Sequence, residues 1–340
     1  MQALIWQGPH DMVVAELERP VPGPGEVLIA VRAAGICGSD IHGYTGASGR
    51  RAPGMVMGHE FAGEVVAHGP GVDRPALGTR VAVNPLLYCG ECTDCQAGRE
   101  QLCRRRTSIG VNLGQRGGFA QWVAVPARNA VPLADEVSFA AGTLAEPLAV
   151  GLRATTVADP QAGQPLLVLG GGTIGLCTLL ACRERGADPV FVTDVAPHKL
   201  AMIARLGGQP RDSRSADLTA LSQEATGGRG FAAIIDAVAV SGTIRQALPA
   251  LAPGGVLMLV GLATPTVEVG LYDLVPQERI IKSAYAYSAA EYRQAVAWLN
   301  TGRVDVGPLL EAHCTLAEAP AMFARLAAGQ VDAVKVVVEL

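Results

Sequence analysis

The stretch VLGGGTIG, residues 168–175, places Gly170, Gly172 and Gly175 at the spacing G-x-G-x-x-G, with Ile174 inside the same turn. It follows the apolar run PLLVL and precedes TIGLCTLLACRERG, which predicts a strand, a glycine turn and a helix in succession. The first glycine permits the tight turn, the second lets the backbone approach a pyrophosphate, and the third lets helix and strand pack closely. The helix N-terminus faces the anion. The stretch therefore predicts a dinucleotide site.

The next predicted strand, PVFVTDV, ends in Asp194, about 20 residues beyond the last glycine, where the ribose diol would lie. A plain turn with a surface aspartate is the alternative, and the combination of strand, glycines, helix and acid disfavours it. An acid here would repel a 2′-phosphate, which favours NAD over NADP. The nearby cation Lys199 would offset part of this repulsion, so that the 2′-phosphate of NADP could be tolerated.

From residue 165 onward, strand-like Val/Ile/Leu runs alternate with helical segments, which predicts a doubly wound parallel sheet. Residues 1 to about 135 instead show short β-rich runs cut by Gly and Pro, typical of an irregular antiparallel barrel or sandwich. The final strand, AVKVVVEL, stands outside the helix–strand rhythm, so we expect it to return to the first domain. A chain of 340 residues suits this α/β two-domain architecture.

Composition narrows the function classes. Net charge is −4 and the pI is about 5.9, which argues against nucleic acid or an anionic membrane as partner. The N-terminus lacks the charged and apolar regions of a signal peptide, and the longest apolar run is broken by glycines. We expect a cytoplasmic protein with reduced thiols.

Four of the eight cysteines, Cys89, Cys92, Cys95 and Cys103, lie in residues 89–103 as C-x2-C-x2-C-x7-C. A disulfide pair is disfavoured in the cytoplasm, and a thioredoxin-like redox pair would accompany a βαβ pattern. An iron–sulfur run expects Pro after its last cysteine and, for two clusters, a second set. Four thiolates suit a closed tetrahedral Zn²⁺ site, which has no open position and is therefore structural.

A second metal site is suggested earlier, by Cys37 in GICGSDIHGY and His59 in MGHEFAG. A catalytic zinc takes about three protein ligands and keeps one position for water or substrate. The third ligand could be Glu60 or Glu146. From the residues alone this set is a hypothesis, because a lone Cys or His is usually a packing residue, and Fe²⁺ or Co²⁺ can occupy similar ligands.

In order along the chain, CGSDIH, GHEFAGEV, GTRVAVNP, CGECTDCQAGREQLC, AEPLAVGLRA, VLGGGTIG and VTDV resemble the zinc-dependent medium-chain dehydrogenase/reductase superfamily. The resemblance covers essentially the whole chain and is greatest to the sorbitol, butanediol, galactitol-phosphate and threonine dehydrogenases. It implies a GroES-like catalytic domain, residues 1–150 and 287–340 with a structural zinc lobe at 89–103, and a Rossmann NAD-binding domain, residues 151–286. It also implies a homotetramer or homodimer with the active site in the cleft.

The resemblance further implies roles for individual residues. Ser39 and His42 match the family's proton relay, and Glu146 lies in an EP motif like that of the polyol branch. Which of Glu60 and Glu146 binds the metal stays open. The nicotinamide end would be lined by four residues, Val260, Leu262, Ser283 and Tyr285.

The implied enzyme oxidises a small-molecule secondary alcohol, a polyol, sugar alcohol or vicinal diol, with one catalytic and one structural Zn²⁺ per chain and with NAD. L-Threonine-type amino-alcohol oxidation is the nearest alternative. A catalytically silent NAD-binding protein would have lost a ligand, and a zinc-free quinone reductase would lack the four-cysteine lobe. Neither fits the residues present.

Overall fold

The computed structural model describes all 340 residues, which form two compact units. The first unit comprises Met1–Glu146 together with Ser288–Leu340, and the second comprises Pro147–Tyr287. None of the helices combines the length and the apolar character that a membrane span needs.

The N-terminal part of the first unit is built mainly from strands. They are β1 (Gln2–Gly8), β2 (Asp11–Glu16), β3 (Glu26–Ile36), β4 (Met55–Val56), β5 (Glu60–His68), β6 (Arg80–Val83), β7 (Leu86–Leu87), β8 (Thr107–Ser108), β9 (Trp122–Pro126) and β10 (Ala130–Pro132). Its helices are short: α1 (Gly38–Tyr44), α2 (Thr93–Gln96) and α3 (Phe139–Thr143).

Helix α4 (Ala145–Ala158) leads into the second unit, where strands and helices alternate. They are β11 (Leu166–Leu169), α5 (Thr173–Glu184), β12 (Val190–Asp194), α6 (Pro197–Arg205), β13 (Gln209–Asp212), α7 (Leu218–Thr226), β14 (Phe231–Asp236), α8 (Ser241–Ala250), β15 (Leu251–Leu259), α9 (Leu271–Leu274) and β16 (Ile280–Ser283). The chain then completes the first unit with α10 (Ala289–Asn300), β17 (Leu310–Thr315), α11 (Ala319–Ala327) and β18 (Lys335–Glu339).

The first unit centres on a seven-stranded sheet in the order β10-β6-β5-β3-β18-β17, with β9 also paired to β3. Strand β3 is a long run in which only Arg32 is exposed, as expected for a strand at the centre of a packed sheet. The last strand, β18, pairs antiparallel with β3, Val337 opposite Gly35. The end of the chain therefore lies beside residues that directly precede Cys37.

The second unit contains a six-stranded sheet, every pair of which is parallel, in the order β13-β12-β11-β14-β15-β16. The order reverses direction between β11 and β14, which is the arrangement of a Rossmann fold. The predicted α/β fold, a β-rich GroES-like domain with a doubly wound parallel sheet, is confirmed. The buried strand LLVL of β11 leads directly into the glycine stretch.

Candidate active site and metal centres

The three glycines after β11 differ in what a side chain at each would meet. Gly170 has φ +96°, a backbone conformation that few other residues adopt. A Cβ on Gly175 would lie 1.7 Å from the carbonyl oxygen of Gly170, so helix α5 can approach the turn only because this residue has no side chain. A Cβ on Gly172, just before α5, would meet nothing within 4 Å. The turn thus offers open space at the N-terminus of a helix, where a pyrophosphate can be bound.

Asp194 ends β12 and is tied to this turn by its own carboxylate. Its Oδ2 accepts a hydrogen bond from the backbone N–H of Gly171 (2.8 Å). Its Oδ1 accepts from the N–H groups of Val195 (2.8 Å) and Ala196 (2.9 Å). The Nζ of Lys199 lies 3.9 Å from Oδ2. The carboxylate is held by backbone donors on both oxygens, and the cation beside it partly offsets its charge.

The four residues predicted to line the nicotinamide lie at or just beyond the carboxyl ends of β15 and β16. Leu259, the last residue of β15, pairs with Ser283 on β16 and with Asp236 on β14. Val260 and Leu262 follow β15, where the side chain of Leu262 is exposed, and Tyr285 follows β16 and is also exposed. Ligands of open α/β sheets bind at this carboxyl edge.

The four cysteines of residues 89–103 converge, with all four sulfur atoms within 4.8 Å of one another. Sγ of Cys89 lies 3.8 Å from that of Cys95 and 3.5 Å from that of Cys103. A tetrahedral zinc with Zn–S bonds of about 2.3 Å has S···S edges of about 3.8 Å. The spacing therefore fits a closed tetrathiolate site without rearrangement.

The loop also tunes its thiols. Hydrogen bonds, of which that from the backbone N–H of Glu91 has the largest effect, lower the pKa of Cys89 to about 6 against the opposing effect of desolvation. Burial raises the pKa of Cys95 to about 12. A metal ion would offset that cost because it binds the thiolate and displaces the proton.

A second convergence brings together Cys37, His59 and Glu60, with one ligand atom from each within 4.8 Å of the others. Cys37 stands just before α1, and His59 just before β5, whose first residue is Glu60. His59 and Glu60 are buried, while Cys37 is partly exposed. The group combines a thiol, an imidazole and a carboxyl, which is the donor chemistry of a catalytic zinc.

Asp40 is a residue of this site that the sequence analysis did not assign. Its fully buried Oδ1 lies 3.6 Å from Nδ1 of His59, and neither atom has a hydrogen-bond partner. Its Oδ2 accepts from the backbone N–H of Cys37 (3.1 Å). Burial alone would lower the pKa of His59, but the Asp40 carboxylate and Cys37 outweigh it and raise that pKa well above the usual range. A carboxylate facing Nδ1 leaves Nε2 as the metal-binding nitrogen.

Three predicted residues lie outside this convergence. Glu146, in the first turn of α4, is partly buried and is not among the converging side chains. It lies near the phenol of Tyr292, where burial and then Glu146 raise the pKa of the tyrosine well above its usual range. Ser39 and His42 are exposed on α1, three residues apart and therefore on neighbouring positions of one helix face.

The residues present fit both metal ions that the fold class implies. The tetrathiolate spacing matches zinc, and in the second group the buried Oε1 of Glu60 has no hydrogen-bond partner. Buried polar atoms without partners are rare unless an ion, a ligand or water satisfies them. Cys37, His59 and Glu60 could therefore hold a metal ion.

Two family models match the chain. Residues 23–135 match the alcohol dehydrogenase GroES-like domain, and residues 173–301 match the zinc-binding dehydrogenase domain. The uncharacterized zinc-type alcohol dehydrogenase-like protein YdjJ of Escherichia coli K12 is 33% identical over 89% of this chain and 88% of its own. The L-threonine 3-dehydrogenase of Streptomyces avermitilis is 32% identical over 93% of this chain and 92% of its own. The chain belongs to the zinc-dependent medium-chain dehydrogenase/reductase family and is an alcohol dehydrogenase-type oxidoreductase.

Several solved structures have the same fold as this chain over its whole length. ECK1772, an oxidoreductase/dehydrogenase from Escherichia coli, has a TM-score of 0.94 at 31% identity, covering 99% of this chain and 98% of its own. A zinc-binding dehydrogenase from Sinorhizobium meliloti 1021, bound to NADP, has a TM-score of 0.90 at 29% identity, covering 100% of this chain and 99% of its own. The alcohol dehydrogenase rspB from E. coli CFT073, in complex with NADH, has a TM-score of 0.91 at 27% identity, covering 100% of this chain and 99% of its own.

Two further solved structures are of dehydrogenases whose names state a substrate. The 2R,3R-butanediol dehydrogenase from Bacillus subtilis has a TM-score of 0.89 at 29% identity, covering 100% of this chain and 99% of its own. The galactitol-1-phosphate dehydrogenase from Escherichia coli has a TM-score of 0.92 at 25% identity, covering 100% of each chain.

Proposed function

We propose that this chain is a zinc-dependent dehydrogenase that oxidises the secondary alcohol of a polyol, sugar alcohol or vicinal diol with NAD. The observation that carries the proposal is the convergence of Cys37, His59 and Glu60 beside an exposed Ser39. The butanediol and galactitol-1-phosphate dehydrogenases among its structural relatives support the substrate class. The backbone-held carboxylate of Asp194, which would repel a 2′-phosphate, supports NAD.

In the proposed mechanism, the converging residues bind the metal ion and the two exposed residues of α1 move the proton. Cys37, His59 and Glu60 would hold a zinc ion, which when bound would lower the pKa of a substrate hydroxyl by acting as a Lewis acid. Asp40 orients the His59 ring through Nδ1. Glu146, outside the converging group, is then a candidate for contact with substrate or water rather than for direct coordination.

Ser39 and His42 would move the proton. The Ser39 hydroxyl accepts the proton that the substrate hydroxyl releases, and it passes its own proton toward His42, one helical turn further along α1. His42 is exposed on the same helix and would release the proton to solvent. The glycine turn between β11 and α5 would hold NAD, which would supply the hydride acceptor for this oxidation.

The test measures NAD reduction by the purified protein against polyols, vicinal diols, sugar-alcohol phosphates and L-threonine, with and without a strong chelator. We expect chelator-sensitive turnover for a polyol or diol. Cys37→Ala should abolish it, whereas the matched control Cys314→Ala, a buried cysteine outside both metal groups, should retain it. Turnover that survives both the chelator and Cys37→Ala would contradict the proposal.

One observation favours a second candidate, oxidation of a carboxylated amino alcohol such as L-threonine. Arg51 is partly buried beside α1, where a Cβ on Gly43 would lie 2.6 Å from its Nε. Its guanidinium donates one hydrogen bond to the carbonyl oxygen of Val111 (2.6 Å) and one to Sδ of Met57 (3.1 Å). A guanidinium has five donors and suits a carboxylate. This second candidate would be favoured if L-threonine is the preferred substrate and if Arg51→Met raises the KM for L-threonine.

We also propose that the protein is a homo-oligomer. Strand β16 is the last strand of its sheet, and an unpaired edge can add a strand from a second copy. Four exposed apolar side chains lie in the segment that leads into this strand and at its first residue, Leu271, Tyr272, Val275 and Ile280. Light scattering should give a dimer or tetramer that Ile280→Lys dissociates and that Val21→Lys, at an exposed site of the other unit, leaves intact. A monomeric wild-type protein would contradict this proposal.

A further inference from the structure

A buried lysine lies at the second metal group, where none of the proposed steps uses it. Lys335, the first residue of β18, is 1% exposed. Its Nζ donates to Oε2 of Glu60 (2.6 Å) and to the carbonyl oxygen of Ile36 (3.1 Å). The Glu60 side chain is also 1% exposed, so the pair is an ion pair inside the protein. A buried cation is costly, and its partner here is a residue of the Cys37 group.

The sheet explains how the pair forms across an intervening strand. In the order β5-β3-β18, Glu60 is opposite Gly35, which is opposite Val337. Residues two apart on a strand share a face, so Lys335 lies on the same face as Val337. A Cβ on Gly35 would lie only 2.4 Å from Oε2 of Glu60. The glutamate can therefore reach over β3 to the lysine only because residue 35 has no side chain.

The ion pair leaves the two oxygens of Glu60 unequal. Oε2 is held by Lys335, whereas Oε1 is buried and has no hydrogen-bond partner. Because a carboxylate rotates about its last bond unless it is held, fixing one oxygen fixes the other.

We propose that Lys335 is a positioning residue for the catalytic metal: with Gly35 providing the space, it holds Oε2 so that Oε1 is the oxygen Glu60 offers to the metal. This inference rests on the metal site of the proposed function. Partners that hold a metal ligand typically change metal affinity by about 10–100-fold when they are removed.

The experiment compares metal release from the two sites of one molecule. Zinc-loaded wild-type, Lys335→Met and Gly35→Ala proteins are exposed to a chelator, and the release kinetics are followed together with the visible spectrum of a cobalt-substituted sample. The four-cysteine site is the internal reference. Gly8→Ala is the matched control for the glycine change, since a Cβ there meets nothing within 4 Å.

We expect Lys335→Met to weaken metal retention at the Cys37 site by about 10–100-fold and to shift the cobalt spectrum, while the reference site keeps its metal. Gly35→Ala should also weaken metal retention at the Cys37 site and shift the cobalt spectrum, although both charges of the ion pair are still present. If Lys335→Met does not fold, the Gly35→Ala result alone tests the proposal. In a Glu60→Gln background Lys335→Met should add little. Wild-type release in both variants, or equal loss from both sites with a lower Tm, would refute positioning. A wild-type protein that binds only one zinc would refute the proposed function itself.

Discussion

The carboxylate of Asp194 has two roles, and replacing Asp194 by Asn would show how much each role contributes. The charge of Asp194 would repel a 2′-phosphate, and its two oxygens hold the glycine turn and the start of α6 through three backbone N–H groups. Asparagine has no charge and only one acceptor oxygen. If that oxygen keeps the bonds to Val195 and Ala196, the amide NH₂ faces the N–H of Gly171, and that hydrogen bond is lost.

The magnitudes of the two losses follow from the geometry. At an effective dielectric constant of about 20, a unit charge about 5 Å from the carboxylate is repelled by about 3 kcal/mol. That energy corresponds to roughly 100-fold in kcat/KM. The lost hydrogen bond to a charged acceptor costs about 1.5–3 kcal/mol of stability. Because Lys199 partly offsets the charge of Asp194, the wild-type enzyme should prefer NAD by up to about 100-fold. Asp194→Asn should remove most of that preference and lower the Tm.

Initial-rate kinetics with NAD and NADP give the selectivity ratio, and thermal unfolding without cofactor gives the stability. Lys199→Met is the control, because it removes the cation 3.9 Å from Asp194 and leaves the backbone hydrogen bonds intact. It should strengthen the preference for NAD. A ratio that Asp194→Asn leaves unchanged within a few-fold, or a wild-type enzyme that uses NADP equally well, would refute the reasoning.

Four other substitutions test the remaining parts of the site. Gly175→Ala, whose Cβ would lie 1.7 Å from the oxygen of Gly170, should lower the Tm and abolish NAD binding. Gly172→Ala should weaken NAD binding and leave the Tm unchanged. Equal losses of Tm in the two variants, measured by calorimetry, would contradict this reasoning. Cys95→Ser should remove one zinc per chain and lower the Tm while the other zinc remains, as metal analysis would reveal. Ser39→Ala should slow turnover by about 10²–10⁴-fold with zinc content and NAD affinity unchanged, and an unchanged rate would exclude the relay.

The sequence was most informative where a function is carried by residues close together in the chain. The glycine stretch with its flanking strand and helix predicted the Rossmann fold, which is confirmed, because each residue acts within one βα turn. The four cysteines of residues 89–103 fall within one loop, so their spacing alone suggested a tetrahedral site. Their sulfur atoms converge in the structure.

The sequence was less informative where a site joins distant strands. It left Glu60 and Glu146 as equal candidates for the third ligand, since spacing does not show which carboxylate faces Cys37. The structure places Glu60 in the converging group and Glu146 outside it. The role of Asp40 was missed although it is only three residues from Cys37, because its partner His59 is reached only after the chain has passed through α1 and β4.

Lys335 shows why such contacts escape a linear analysis. It is 275 residues from Glu60 in the chain, and the two meet only because β18 returns to pair with β3. Two local signals existed: a lysine at the start of the apolar strand KVVVE, and a glycine within the buried strand EVLIAVRAAGI. Each is unfavourable alone, since a buried cation costs desolvation and a strand glycine gives up packing. Two locally unfavourable residues that compensate each other in the folded sheet indicate a functional constraint on Glu60. For that reason a stability measurement alone will undervalue both residues, and metal retention is the property that should reveal their role.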